Sequence, residues 1–296
     1  MLIRIATRSS ALARWQADHV ASLLRAAHPD CRVEVLGLST EGDRRTDVPL
    51  SEIGGKGVFA TEVQAAVLDG RADVAVHSAK DLPAATPDGL VIGAVPERGD
   101  ARDALVGSRL VDLRTDATVA TGSARRRVQL ARLRPDLRFA ELRGNMATRL
   151  DKAAGFDAIV VAAVALERLG LADRLTEVLS ARLMVPQVAQ GALAVECRAD
   201  DDDLRRVLAA IEHGPSRVAV DAERAFLAEL GGDCTLPAGA HATVLDGGRI
   251  SVRGILGGPD DGDGRVRVHE LADEGTDPDA VGRAVASSLR DAVERS

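Results

Sequence analysis

The chain has 296 residues, 46% hydrophobic and 28% charged, enough for two or three domains with real cores. Its net charge of −7 and 2% aromatic content exclude general nucleic-acid binding and base-stacking platforms. Three widely spaced cysteines (Cys31, Cys197, Cys234) imply no disulfide framework and no CxxC metal site, and no stretch is apolar enough for a secretory leader or a bilayer span.

Strands and helices alternate, which predicts α/β layers. Leu2 to Ala6 reads as a buried strand. Ser9 or Ser10 can cap a helix through Leu12, Trp15, Val20 and Leu24. Arg32 to Leu38 reads as a strand, Val58 to Leu68 as a helix stopped by Gly70, and Ala72 to Val76 and Leu90 to Val95 as further strands. The pattern restarts with strand-like Thr118 to Ala120, then helices at Ala124 to Leu133 and Asn145 to Ala154, and a strand at Ala158 to Val164. Two similar α/β halves imply a cleft beyond strand ends. The last third predicts helices at Asp201 to Glu212 and Ser216 to Leu230. Strands at Gly239 to Leu245 and Arg249 to Leu256 follow, split by an Asp246-Gly247-Gly248 turn. A surface turn over 257–264 and a final helix from about Asp277 complete a small α+β domain.

Four segments share one pattern: a strand end, then small or hydroxyl residues with cations. They are Ala6-Thr7-Arg8-Ser9-Ser10, Val76-His77-Ser78-Ala79-Lys80-Asp81, Ala120-Thr121-Gly122-Ser123-Ala124-Arg125-Arg126-Arg127 and Leu142-Arg143-Gly144-Asn145-Met146-Ala147-Thr148-Arg149. Helix-start N–H groups, hydroxyls and guanidinium forks together make anion sites, so four of them point to a polyanionic ligand. Each segment taken singly also fits a capped helix with solvated arginines. Gly54-Gly55-Lys56-Gly57 fits a surface loop or a lid whose lysine reaches an anion; it lacks the spacing of a phosphate-binding Walker loop. Asp81 fits a turn cap before Pro83, or a carboxylate that stabilises a developing cation or shuttles a proton. Cys234, in a Gly-rich loop, fits a reactive thiol or an inert small residue; Cys197 reads as a strand residue.

These motifs resemble the porphobilinogen deaminase (hydroxymethylbilane synthase) family over nearly the whole chain. The resemblance rests also on Trp15-Gln16-Ala17, Arg168-Leu169-Gly170-Leu171, Gln190-Gly191-Ala192 and Glu196-Cys197-Arg198. It implies two periplasmic-binding-protein-like α/β lobes with a cleft, plus a small C-terminal α+β domain. The expected boundaries are 1–97 with 190–212, 98–189, and 213–296. It implies a transferase that joins four porphobilinogen molecules head to tail, losing ammonia at each step, on a dipyrromethane cofactor held through a thioether to Cys234. Hydrolysis then releases hydroxymethylbilane. By resemblance, Asp81 would stabilise azafulvene cations and assist proton transfer. Lys80, Asp81, Thr121, Ser123, Arg125 and Arg126 would hold the cofactor; Arg8, Ser10, Arg143, Arg149 and Arg168, with Lys56 on a lid, would hold substrate. A cytoplasmic monomer without metal, nucleic acid or membrane partner is implied. Two departures stand out: Gly122 replaces a serine common in the family, and Asp233 precedes Cys234 where glycine is common. An anion-binding protein without catalysis, a nucleic-acid-binding protein using the Arg-rich helix at Arg125 to Arg127, and an inactive relative are the alternatives; the third domain with Cys234, the net charge with few aromatics, and the full motif set speak against them in turn.

Overall fold

The computed structural model describes residues 1–39, 60–231, 236–260 and 266–295, and these form two compact units. Lys56 with its glycine-rich loop, and Cys234, lie outside the described residues. The described elements are β1 (Leu2–Arg8), α1 (Ala11–Ala27), β2 (Arg32–Leu38), α2 (Thr61–Leu68), β3 (Val74–Ser78), β4 (Leu90–Ala94), β5 (Asp103–Val106), β6 (Thr118–Ala120), α3 (Ala124–Leu133), β7 (Arg138–Ala140), α4 (Met146–Lys152), β8 (Ala158–Ala162), α5 (Ala163–Arg168), β9 (Glu177–Val178), β10 (Leu193–Arg198), α6 (Asp202–Leu208), α7 (Gly214–Glu229), β11 (Ala238–Val244), β12 (Ile250–Asp260), β13 (Val266–Gly275) and α8 (Pro278–Glu294).

The first unit comprises Met1–Gly99 and Gly191–Arg217. Its sheet has the order β2-β1-β3-β10-β4. β1 runs parallel to β2 and β3, while β10 enters antiparallel between β3 and β4. Ser10 caps α1, its hydroxyl accepting from the Ala13 N–H. The helix buries Ala13, Gln16, Ala17, Val20, Ala21 and Leu24, a stripe at three- and four-residue spacing. That stripe packs on Ile3, Ile5, Val74 and Val76. Burying Leu24 alone contributes about 2 kcal/mol. A charge at Val20 would break the packing. The outcome of this packing is positional: with β1 and β3 parallel neighbours, Arg8 and Ser78 emerge at the same sheet edge, where α1 begins.

The second unit comprises Asp100–Gln190 and Val218–Ser296. It contains a five-stranded sheet of order β7-β6-β8-β5-β9 and a separate antiparallel sheet of order β11-β12-β13. β6 and β8 are parallel, so Thr121 and α5 lie beyond adjacent strand ends. The C-terminal sheet packs against α8, whose buried face is Val281, Val285, Ala286 and Leu289.

Several elements differ from the sequence reading. β5, β7, β9 and β13 were not expected. β5 carries a charge, Asp103, in an apolar run; β13 carries Arg267, Glu270 and Asp273, which reads as polar surface. The expected turn over 257–264 is partly strand, because β12 continues to Asp260 against β13. The helix expected to Glu212 stops at Leu208 and tightens into a 3₁₀ turn at Ala209–Ile211. The strand expected to Val164 yields to α5 at Ala163.

Candidate active site

In the first unit a small pocket of about 50 Å³ is lined by Thr7, Arg8, Ser10, Gln16, His77, Ser78 and Asp81 among others, space for a few water-sized groups. Thr7 is fully buried, its hydroxyl 3.2 Å from the Val76 carbonyl and 3.3 Å from that of Ala13, which ties β1, β3 and α1 together. Gln16 donates to Ser78 Oγ at 2.8 Å. Directly after β3 the chain makes a 3₁₀ turn, Ala79–Asp81, anchored by the Ala79 N–H on the Ala192 carbonyl at 3.0 Å. This turn leaves Asp81 exposed, lining the pocket with Arg8 and Ser10, and Lys80 half-buried. The sequence-predicted residues of this unit, Arg8, Ser10, Lys80 and Asp81, therefore share one sheet edge.

Behind the pocket is a cluster to which the sequence assigned no role. His77 Nε2 stands 3.1 Å from Glu196 Oε2, off the line of a hydrogen bond, with both side chains buried. Gln64 donates to both Glu196 oxygens at 2.9 and 3.2 Å. A carboxylate in the apolar run Leu193–Arg198 is the sequence signal that a buried partner exists. Cys197, in the same strand, is an inert thiol: burial pushes it up to about 11.

In the second unit Thr121 follows β6 and is 1% exposed. Its hydroxyl accepts from the Ser123 N–H at 3.2 Å, and Ser123 caps α3 by accepting from the Arg126 N–H at 3.4 Å. Both hydroxyls stand beside the positive end of α3. Helical spacing turns Arg127 outward to Glu141 at 2.9 Å, and Arg125 and Arg126 inward. These two are 2% and 6% exposed and share the fully buried Asp103. Arg125 Nη2 reaches Asp103 Oδ2 at 2.7 Å, and Arg126 reaches Oδ1 through Nη2 at 2.8 Å and Nε at 3.1 Å. Gln190 adds a bond to Oδ1 at 2.9 Å. Burial raises the Asp103 pKa, but the two guanidinium groups more than offset it and hold the carboxyl well below its usual range. Burial lowers Arg125, which Asp103 opposes.

Arg143, Arg149 and Arg168 belong to the same unit. Arg143 Nε is 4.0 Å from Glu141. Gly144 has φ +110°, and a Cβ there would meet Thr148 at 2.7 Å, so the turn into α4 requires glycine. Asn145 caps α4, and Arg149 donates to the Gly144 carbonyl at 2.9 Å. Arg168 ends α5, where burial pushes its guanidinium down to about 10, still protonated at neutral pH. Gly122 is packed: a Cβ there would lie 3.0 Å from the Leu142 carbonyl and 3.4 Å from Glu141 Oε2, which limits room for the serine common in the resembled family.

A family model described as "Porphobilinogen deaminase, dipyromethane cofactor binding domain" matches residues 3–206, and one for the "Porphobilinogen deaminase, C-terminal domain" matches residues 218–291. The chain is 46% identical to a porphobilinogen deaminase of Chromobacterium violaceum over 99% of this chain and 96% of that protein. It is 48% identical to one of Nitratidesulfovibrio vulgaris over 85% of this chain and 81% of that protein. Among solved structures, a nutrient binding protein of Burkholderia cenocepacia bound to methionine aligns with TM-score 0.44 and 13% identity, covering 77% of this chain and 95% of that one.

Proposed function

The chain belongs to the porphobilinogen deaminase family, and from that membership we propose which of its residues carry the family's reaction. The enzyme of this family is a transferase that makes hydroxymethylbilane from porphobilinogen in tetrapyrrole and haem biosynthesis, and it holds a dipyrromethane cofactor. Bound dipyrromethane supplies the anchored pyrrole to which substrate units are added.

The donor set of the second unit fits such a group. Among the described residues two buried guanidinium groups face one carboxylate, Arg125 Nε–H has no partner, and the Thr121 and Ser123 hydroxyls stand at the start of α3. This surplus positive charge is the observation that carries the proposal, because a dipyrromethane bears several carboxylates. Arg125, Arg126, Thr121, Ser123 and Lys80 hold those carboxylates, and Cys234 is the attachment point. Arg8, Ser10, Arg143, Arg149 and Arg168, with Lys56, bind the acetate and propionate of incoming porphobilinogen. Asp81 accepts from pyrrole N–H groups, stabilises the positive charge that develops as ammonia leaves, and takes up or returns a proton. Its exposure at a strand end supports this role over a turn cap, since the 3₁₀ turn is already held by the Ala79 N–H.

We further propose the three-domain division 1–97 with 190–212, 98–189, and 213–296. Three separate sheets and two family models meeting between 206 and 218 support it. Among the described residues no helix is long and apolar enough to cross a membrane. A monomer in the cytoplasm, without nucleic-acid or membrane partners, completes the reading. The test is conversion of porphobilinogen by the purified protein, with intact-mass measurement and peptide mapping. A pyrrole adduct on Cys234 and release of hydroxymethylbilane are expected; fully active protein with unmodified Cys234 overturns the reading.

A further inference from the structure

We infer that Asp103 is a positioning residue for cofactor capture: it holds Arg125 and Arg126 as one receptor with a single surplus positive charge, matched to one ligand carboxylate. This rests on the proposed dipyrromethane-dependent function. The first argument is the division of labour on the carboxylate. Asp103 Oδ2 serves Arg125, while Oδ1 serves Arg126 and Gln190, so one rigid group fixes the angle between two guanidinium planes. Backbone carbonyls lock the far sides: Val160 accepts from Arg126 Nη1 at 2.9 Å, and Val185 accepts from Arg125 Nη1 at 2.5 Å.

The second argument is the charge count. A buried carboxylate kept only for stability is satisfied by one arginine; a second leaves an uncompensated charge in a dry interior, which is costly. Among the described residues two arginines face one aspartate, which makes sense where an anion arrives from outside. The third is the donor count. All three Arg126 nitrogens donate within the protein, whereas Arg125 retains an unpartnered buried Nε–H. Arg126 therefore contributes charge, and Arg125 contributes charge and the remaining directed donor.

The test compares purified wild type, Asp103→Glu and Gln190→Met by intact mass, circular dichroism and thermal unfolding. Asp103→Glu keeps the charge and displaces both forks by one methylene. A folded Asp103→Glu protein is expected to carry the Cys234 adduct in a fraction lower by roughly tenfold or more, as misplacing a positioned group does. Gln190→Met removes one tether from Asp103 without touching either arginine, and a smaller loss in the same direction is expected. If Asp103→Glu does not fold, Gln190→Met decides. Wild-type adduct levels in the folded variants overturn this inference, since neutralisation alone would then suffice. A wild type without any adduct overturns the functional reading instead, so the two failures are distinct.

Discussion

His77 Nε2 lies 3.1 Å from Glu196 Oε2, the two side chains 5% and 1% exposed, directly behind the pocket that contains Asp81. Glu196 also accepts both bonds from Gln64, so it is the common partner of two otherwise buried polar side chains. Glu196→Ala strands the Gln64 amide and removes the carboxylate beside buried His77. It is expected to lower unfolding free energy by about 2–4 kcal/mol, the penalty for unsatisfied buried groups. Urea titration at pH 7 measures it; a change near zero would mean that water replaces the carboxylate.

Asp81 stands exposed on a short turn whose backbone is anchored without it. Asp81→Asn should therefore fold and still carry the Cys234 adduct, yet lose roughly 100-fold or more in turnover with porphobilinogen. Adduct mass and steady-state rate are read on the same sample. Turnover close to wild type removes Asp81 from the chemistry.

Gly239 is the second residue of β11. A Cβ there would lie 2.6 Å from the Pro186 carbonyl and 2.7 Å from Arg125 Cδ. Gly239→Ala must displace backbone or the Arg125 stem. A loss of about 1–3 kcal/mol is expected from overpacking, together with a smaller adduct fraction. An unchanged melting temperature would show that β11 shifts freely.

The Asp103 carboxyl is held below its unfolded pKa, so the folded state binds fewer protons than the unfolded chain in acid. Its contribution is fully present above the unfolded value near 3.9 and declines as pH falls below it. Asp73, held down by Arg4 against the opposing effect of burial, acts in the same direction. Unfolding free energy should fall steeply below about pH 4. The slope should be shallower in Asp103→Asn; parallel profiles would exclude Asp103 as a source.

Arg143 is partly exposed, and its Nε lies 4.0 Å from Glu141. Arg143→Leu is expected to change the melting temperature little while enzyme-bound intermediates accumulate, seen as partial additions in the mass spectrum. A melted protein instead assigns this arginine to the fold.

Local patterns carried much of the architecture. The apolar spacing of α1 and its Ser10 cap, the glycines at 247 and 248, and the runs of hydroxyl residues and cations at the ends of β1, β3 and β6 all act within a few residues, so they are readable along the chain. The motif set also identified the family. Asp103 and Glu196 were not assigned. Each lies in an apolar strand, and the sequence says only that such a charge needs a partner.

The sequence by itself determined the chemistry available: arginines for carboxylates, one aspartate after a strand end, and one cysteine in a glycine-rich loop. Tertiary structure decided which arginines are spoken for. Arg125 and Arg127 are two residues apart and chemically alike, yet one is buried on Asp103 and the other half-exposed on Glu141. The reason is geometric. A helix turns about 100° per residue, and strand order brings β5 under α3 across more than twenty intervening residues. Likewise β10 enters antiparallel beside β3 and sets Glu196 against His77, a placement that hydrogen-bonded register fixes and that spacing along the chain does not encode.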